Sequence, residues 1–340
     1  MNSIPSADRL SQLKDWLNYV EKRATVILVE TENGSQAFKM FETLNDRGLR
    51  TSQADLVKSY LFGQSGSKID QAQARWSSML DNISEIPDDD RAVNFLRHVL
   101  IATRQFVRAQ DVYDVTQNKV RGVANSMTFL TDLENLSRKY VATFNSDAAT
   151  WKGHSPKTKK AIATFNKFNL QPIRPLLLAL AVKFTPQKLE AAIQYLVSLS
   201  VRMVISAKTR SGTNQQAFAA AALAVYGGSI SDLKGLKAAL ASISISDREF
   251  RQNFEVATSS KADLARYYLR SLEATNAGEK EPWFVPNEDQ TEINLEHILP
   301  KKPDFSVWTQ FDVEAHRAYH KRLGNLCLMK STDNSHDGNA

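Results

Sequence analysis

From residue 71 to residue 270 apolar residues recur every three or four positions, the spacing of one helix face, and strand-type alternation is nearly absent. The pattern predicts helices over 91–107, 126–144, 157–166, 173–184, 186–207, 215–226, 233–240 and 261–273, with Gly227-Gly228 placed to stop the sixth. Upstream, 9–30 reads as a helix or as a helix running into a strand, because 24–29 is the β-branched run ATVILV. Phe38, Phe41 and Leu44 then form one apolar face, and the turn Asn45-Asp46-Arg47-Gly48 follows. Ser52 with Asp55 three residues on makes a cap for a helix over 53–62.

The character changes after residue 275. A polar, glycine-containing stretch, 275–281, reads as a linker. Beyond it the short apolar runs 293–299 and 323–329 read as two strands, with a helix near 313–322 inserted between them. The fold class predicted is mainly α: a multi-helix body carrying a small C-terminal α+β unit. The boundaries drawn are 1–70, 71–275 and 285–340, and no tandem repeat of fixed period is seen. The apolar stripes of the body are core faces rather than cofactor boxes.

Composition narrows the class without choosing a function. Hydrophobic residues make up 42% and charged residues 24% of 340, an ordinary globular balance. No run of 18 uncharged apolar residues occurs, so no membrane span is expected, and 1–14 lack the apolar core of a secretory signal. Cys327 is the only cysteine, which excludes intrachain disulfides and cysteine-rich zinc sites and points to a cytoplasmic setting. The formal net charge is +6, but residues 279–340 hold 7 Lys/Arg against 11 Asp/Glu, so the rest of the chain carries +10. Basic groups gather at 152–160 and 202–210. A basic body beneath an acidic C-terminal segment suits a nuclease, in which carboxylates hold a cation and the body attracts phosphates.

The chemistry is concentrated in Asn294-Leu295-Glu296-His297-Ile298-Leu299-Pro300. Phosphodiester hydrolysis needs an activated water and countercharge for the phosphoryl and leaving oxygens; a neutral histidine supplies the first and a divalent cation the second. Glu296 and His297 are adjacent, so on a regular strand they face opposite ways and serve different tasks: Glu296 toward a metal, His297 as general base. Pro300 ends the strand and fixes the loop. Asn325, between leucines, must satisfy a buried amide and is expected to tie two backbone segments together, the loop after His297 being one candidate. Asn334 and His336 lie beyond the second run, where either can complete a metal site. Oxygen and imidazole donors without sulfur suit Mg²⁺ or Mn²⁺, with Ni²⁺ or Zn²⁺ as alternatives.

Glu296-His297-Ile298-Leu299-Pro300, then Trp308, then Leu323-Gly324-Asn325-Leu326-Cys327-Leu328-Met329, then Asn334, resembles the C-terminal nuclease domain of GmrSD-type modification-dependent restriction endonucleases, of the His-Asn-His or ββα-metal group. The resemblance implies a general base at His297, metal positions at Glu296 and Asn334, a supporting role for Asn325, and foreign or modified DNA as substrate. Independently, Phe41-Glu42-Thr43-Leu44-Asn45-Asp46-Arg47-Gly48-Leu49, with Ser52 and Asp55-Leu56-Val57-Lys58, resembles the closing part of that family's ParB-like N-terminal domain. No Asp-Gly-Gln-Gln-Arg-like motif precedes Phe41, so nucleotide binding by this chain is not expected. The family pattern usually runs past the second asparagine into a helix with a phenylalanine and a lysine, whereas this sequence ends six residues after Asn334. A chain truncated at both ends is therefore expected, with its nuclease site incomplete: a natural fragment, a truncated reading frame or a subunit completed by a partner, with DNA and a protein partner or a homo-oligomer as the expected associations. The alternative reading from the same residues is a catalytically silent helical scaffold that binds DNA or a partner in a restriction or phage-defence system.

Overall fold

The computed structural model describes residues 6–23, 52–168, 170–209, 212–278 and 293–330. The chain divides into two compact units, Met1–Thr51 and Ser52–Ala340. In the first, the described residues form one helix, α1 (Ser6–Arg23), whose last turn carries Lys22 and Arg23 where the helix dipole favours cations. The β-branched run 24–29 and the stretch Phe41–Leu49 lie outside the described residues.

The second unit is helical for most of its length. In chain order come α2 (Gln53–Gln64), α3 (Ile69–Ile83), α4 (Arg91–Thr103), α5 (Val112–Lys119), α6 (Gly122–Ala142) and α7 (Pro156–Asn166). They are followed by α8 (Arg174–Lys183), α9 (Pro186–Ile205), α10 (Gly212–Tyr226), α11 (Leu233–Ala239), α12 (Asp247–Glu255) and α13 (Ala262–Asn276). Local chemistry sets the ends. Ser52 caps α2 by accepting the Asp55 N–H at 3.2 Å, and its own hydroxyl donates to the Asp55 carboxylate at 2.7 Å. Ser155 caps α7 in the same way, with Pro156 preset for the first helical position. Beyond α10 the chain reverses at Gly228, whose φ of +85° a side chain with a Cβ tolerates poorly.

The predicted 91–107 helix stops at Thr103. The chain turns away at Arg104, and the Val107 carbonyl accepts from the Arg97 side chain instead. α3, α5 and α12 were not separately resolved in the sequence pattern.

α8 is the centre of the body. Leu176, Leu177, Leu178, Ala179 and Leu180 are all buried, as expected of a helix apolar on every side. α10, α4 and α6 pack around it, α3 lies along α6, and α7 along α9. Trp151 is fully buried beside α7 and donates its indole N–H to the carbonyls of Ala142 and Asn145 at 2.9 and 3.0 Å. One polar knot is enclosed here. His98 Nδ1 meets the Tyr140 hydroxyl at 2.7 Å, and Arg174 donates to the Thr143 carbonyl at 2.7 Å while stacking over Phe144. No helix among the described residues is long and apolar enough to cross a membrane.

The C-terminal part holds the sheet found among the described residues. β1 (Ile293–His297) and β2 (Leu326–Lys330) pair antiparallel, with Glu296 opposite Cys327 and His297 opposite Leu326. The insert between them contains α14 (Val313–Tyr319). α14 is shorter than the predicted 313–322 because the chain next turns back to the body. Arg322 bridges Thr258, the Ser259 N–H donates to the Lys321 carbonyl at 3.0 Å, and the Leu323 N–H donates to the Ala257 carbonyl at 2.8 Å. Residues Leu323–Asn325 form a 3₁₀ turn, so β2 begins at Leu326 rather than at 323. Leu323 and Leu326 are buried in one core with Leu264, Ala265, Tyr267 and Tyr268, and the hairpin is thus seated on α13. The fold is mainly α with a small α+β C-terminal part.

Candidate active site

β1 pairs with β2 along one edge, and its other edge faces the start of α13 across a groove of about 580 Å³. An unpaired strand edge leaves backbone groups that need partners. Arg266 of α13, itself buried, meets this need by donating its guanidinium to the Ile293 carbonyl. The same groove is bordered by Glu296, His297, Lys301, His320 and Lys321. Alternation along β1 turns Glu296 toward the Cys327 side of the hairpin and His297 toward the Leu326 side. Both nevertheless border the groove, as Asn294 and Leu295 do, because it runs along the free edge of the strand, which residues of both faces share.

The loop after His297 is fastened from two sides. Asn325 Oδ1 accepts the Leu299 N–H at 2.7 Å, and Asn325 Nδ2 donates to the carbonyls of Leu299 and His320, both at 3.1 Å. The Asn325 backbone carbonyl accepts the Ile298 N–H at 2.9 Å. One amide thus joins the His297 loop, the end of the insert and the entry to β2, with its acceptor and both donors used. From the other side His316 Nε2 donates to the Pro300 carbonyl at 2.9 Å, which fixes that imidazole's tautomer. The insert has its own small aromatic cluster, in which Phe311 packs against Trp308 and Tyr319, and Arg322 lies over the Tyr319 ring.

His297 is half-buried, and its ring makes no hydrogen bond to another described residue. Burial holds its pKa below the ordinary imidazole range; the Lys301 and His320 charges push the same way, and Glu296 opposes them. Burial, with Glu296 adding to it, raises the Cys327 thiol. Within 293–330 the charged side chains are Lys301, Lys302, Arg317, Lys321, Arg322 and Lys330 against Glu296, Asp304, Asp312 and Glu314. The acidic excess of the C-terminal segment therefore belongs to residues outside the described ones; among the described residues that border the groove, Arg266, Lys301 and Lys321 are set against Glu296.

Asn334 and His336 lie outside the described residues. Among the described residues no three His, Cys, Asp or Glu side chains converge closely enough to hold a metal ion. A carboxylate and imidazoles do border one groove, a donor chemistry that fits a divalent cation completed by water and substrate oxygens. His316 and His320 were missed in the sequence; their spacing of four residues, which puts two imidazoles on one helix face, was the available signal. No curated protein matches the chain. Residues 244–340 match the family model described as GmrSD restriction endonucleases, C-terminal domain, and every residue bordering the groove falls within that match.

Proposed function

We propose that the C-terminal module is a metal-dependent DNA endonuclease that hydrolyses phosphodiester bonds in foreign or modified DNA. The observation that carries the proposal is the placement of Glu296 and His297 at the end of β1, on a groove that Arg266, Lys301 and Lys321 also border, within the stretch that matches the GmrSD C-terminal domain. His297, in its neutral form, takes the proton of the attacking water. Lys301 and Lys321 offset the charge of the phosphate that enters the groove. Asn325 and His316 hold the loop after His297, and with it the direction of that imidazole. Glu296 would hold the cation, joined by Asn334, the position the family resemblance implies, or by His336, which follows it closely in the sequence. A divalent cation, when bound, supplies countercharge to the phosphoryl and leaving oxygens. Mg²⁺ and Mn²⁺ are the expected ions, and DNA is the expected partner.

A second reading is a silent helical scaffold that binds DNA or a protein partner without cutting. It is favoured by one observation, that no three-donor metal cluster forms among the described residues. The two readings separate in one experiment. Modified and unmodified plasmid and phage DNA are incubated with the full chain in Mg²⁺, Mn²⁺ or EDTA, beside the His297→Ala variant. Metal-dependent nicking that is lost in the variant supports the nuclease. Retained DNA binding without cleavage in any metal supports the scaffold and overturns the first reading.

A further inference from the structure

His320 follows α14 directly and borders the groove with Glu296 and His297. Its Nδ1 lies 2.9 Å from the His316 carbonyl oxygen. A carbonyl only accepts, so Nδ1 carries the ring hydrogen and the neutral ring keeps its lone pair on Nε2. The ring is also held in place: it stacks on His316 with centroids 4.6 Å apart and planes 13° from parallel. His316 is anchored in turn by its bond to the Pro300 carbonyl and by an edge contact with Phe305. An imidazole whose one N–H is spent on a backbone carbonyl, and whose other nitrogen makes no hydrogen bond to a described residue, at a groove that Glu296 also borders, has the tautomer that metal-binding histidines carry.

We propose that His320 is a cation-binding residue of this site, acting through Nε2 together with the Glu296 carboxylate. The proposal rests on the nuclease reading for the presence of a cation and adds to it the ligand and the class of ion. The two imidazoles then divide the work. His320, with its tautomer fixed and its ring stacked, binds, while His297, with no hydrogen bond to another described residue, remains available to a water. Two protein donors completed by water and substrate oxygens need no third convergent side chain, and none is found among the described residues. An imidazole nitrogen beside a carboxylate favours Mn²⁺, Co²⁺, Ni²⁺ or Zn²⁺ over Mg²⁺.

The test is metal binding by the full chain without DNA. Mn²⁺ is titrated calorimetrically and Co²⁺ by its visible ligand-field absorption, for wild type, His320→Ala, His320→Gln and the remote His154→Ala. The glutamine variant keeps a side-chain donor for the His316 carbonyl, and circular dichroism verifies that each variant is folded. The expected result is one saturable site, weakened about tenfold or more in both His320 variants and unchanged in His154→Ala. Unchanged affinity in either folded His320 variant overturns the proposal, and so does a wild type that binds neither ion at millimolar concentration. His320-dependent binding by a chain that cuts no DNA would uphold this site and overturn the nuclease reading. Cleavage with metal affinity indifferent to His320 would do the reverse.

Discussion

Replacing Asn325 with alanine removes three hydrogen bonds in one step: the Leu299 N–H to Oδ1 at 2.7 Å, and Nδ2 to the carbonyls of Leu299 and His320 at 3.1 Å each. A neutral hydrogen bond contributes about 1 kcal/mol net, so the latch contributes about 3 kcal/mol, and more if the stranded groups stay dry. Leu299 is only 2% exposed, which leaves its N–H poorly placed to find water. The loss acts on the His297 loop rather than on the body, so it belongs to a local opening. About 3 kcal/mol corresponds to amide exchange on the order of 100-fold faster. Hydrogen exchange resolved at Leu299 reads this directly. Exchange at Trp151 in the body is expected to stay as in wild type. Asn325→Asp is the sharper perturbation. It keeps the acceptor for Leu299 but turns a second oxygen onto two carbonyls, and it should open the loop at least as much as alanine does. Leu299 exchange within threefold of wild type in either variant would refute the latch.

Three further outcomes are expected. Burial, reinforced by the Arg97 and Arg174 charges, lowers the His98 pKa from 6.5 to about 3. The unfolded chain then binds this proton first, so stability is full above pH 6.5 and is lost as pH falls through the window from 6.5 to about 3. The loss at pH 5 relative to pH 7 is about 2 kcal/mol from this group, and His98→Gln should show a shallower pH dependence in urea unfolding; an equal slope would count against it. Trp151→Phe should cost about 2–3 kcal/mol, because the indole N–H shared by the carbonyls of Ala142 and Asn145 is lost and the core loses volume; a cost below ~0.5 kcal/mol would show that the indole N–H is not needed. Ser52→Ala should destabilise by about 1 kcal/mol through the α2 cap, with no effect if the Asp55 N–H is equally well served by water.

Much of this fold was legible because local chemistry and burial agree. The Ser52 cap, the α9 start at Pro186 and the turn at Gly228 stand where the sequence pattern places them, each set by a residue with one dominant backbone preference, and α7 starts one residue earlier than predicted, at Pro156. The two strands were readable as short apolar runs, and Asn325 as a polar residue trapped between leucines. What the pattern did not disclose depends on tertiary placement. α12 has no buried residue, so no core stripe announced it. α14 ends early only because 320–323 turn to pair with 257–259, a contact remote in sequence. Charge arithmetic over 279–340 pointed to carboxylates, but Glu296 is the one acid among the described residues that border the groove, and Arg266 reaches it from α13, outside that stretch. His320 carries no motif; its candidacy comes from a ring nitrogen turned to a carbonyl and a neighbour to stack on.

The claim that His297 takes the proton of water is tested most directly by chemical rescue. His297→Gly removes the imidazole and leaves room for a small one to enter from solution. Nicking of supercoiled DNA in Mn²⁺ would be followed for wild type, for the variant, and for the variant with added imidazole. The account predicts cleavage by wild type, none by His297→Gly, and partial recovery that rises with the imidazole concentration. Wild-type rates in the folded variant without imidazole would contradict it.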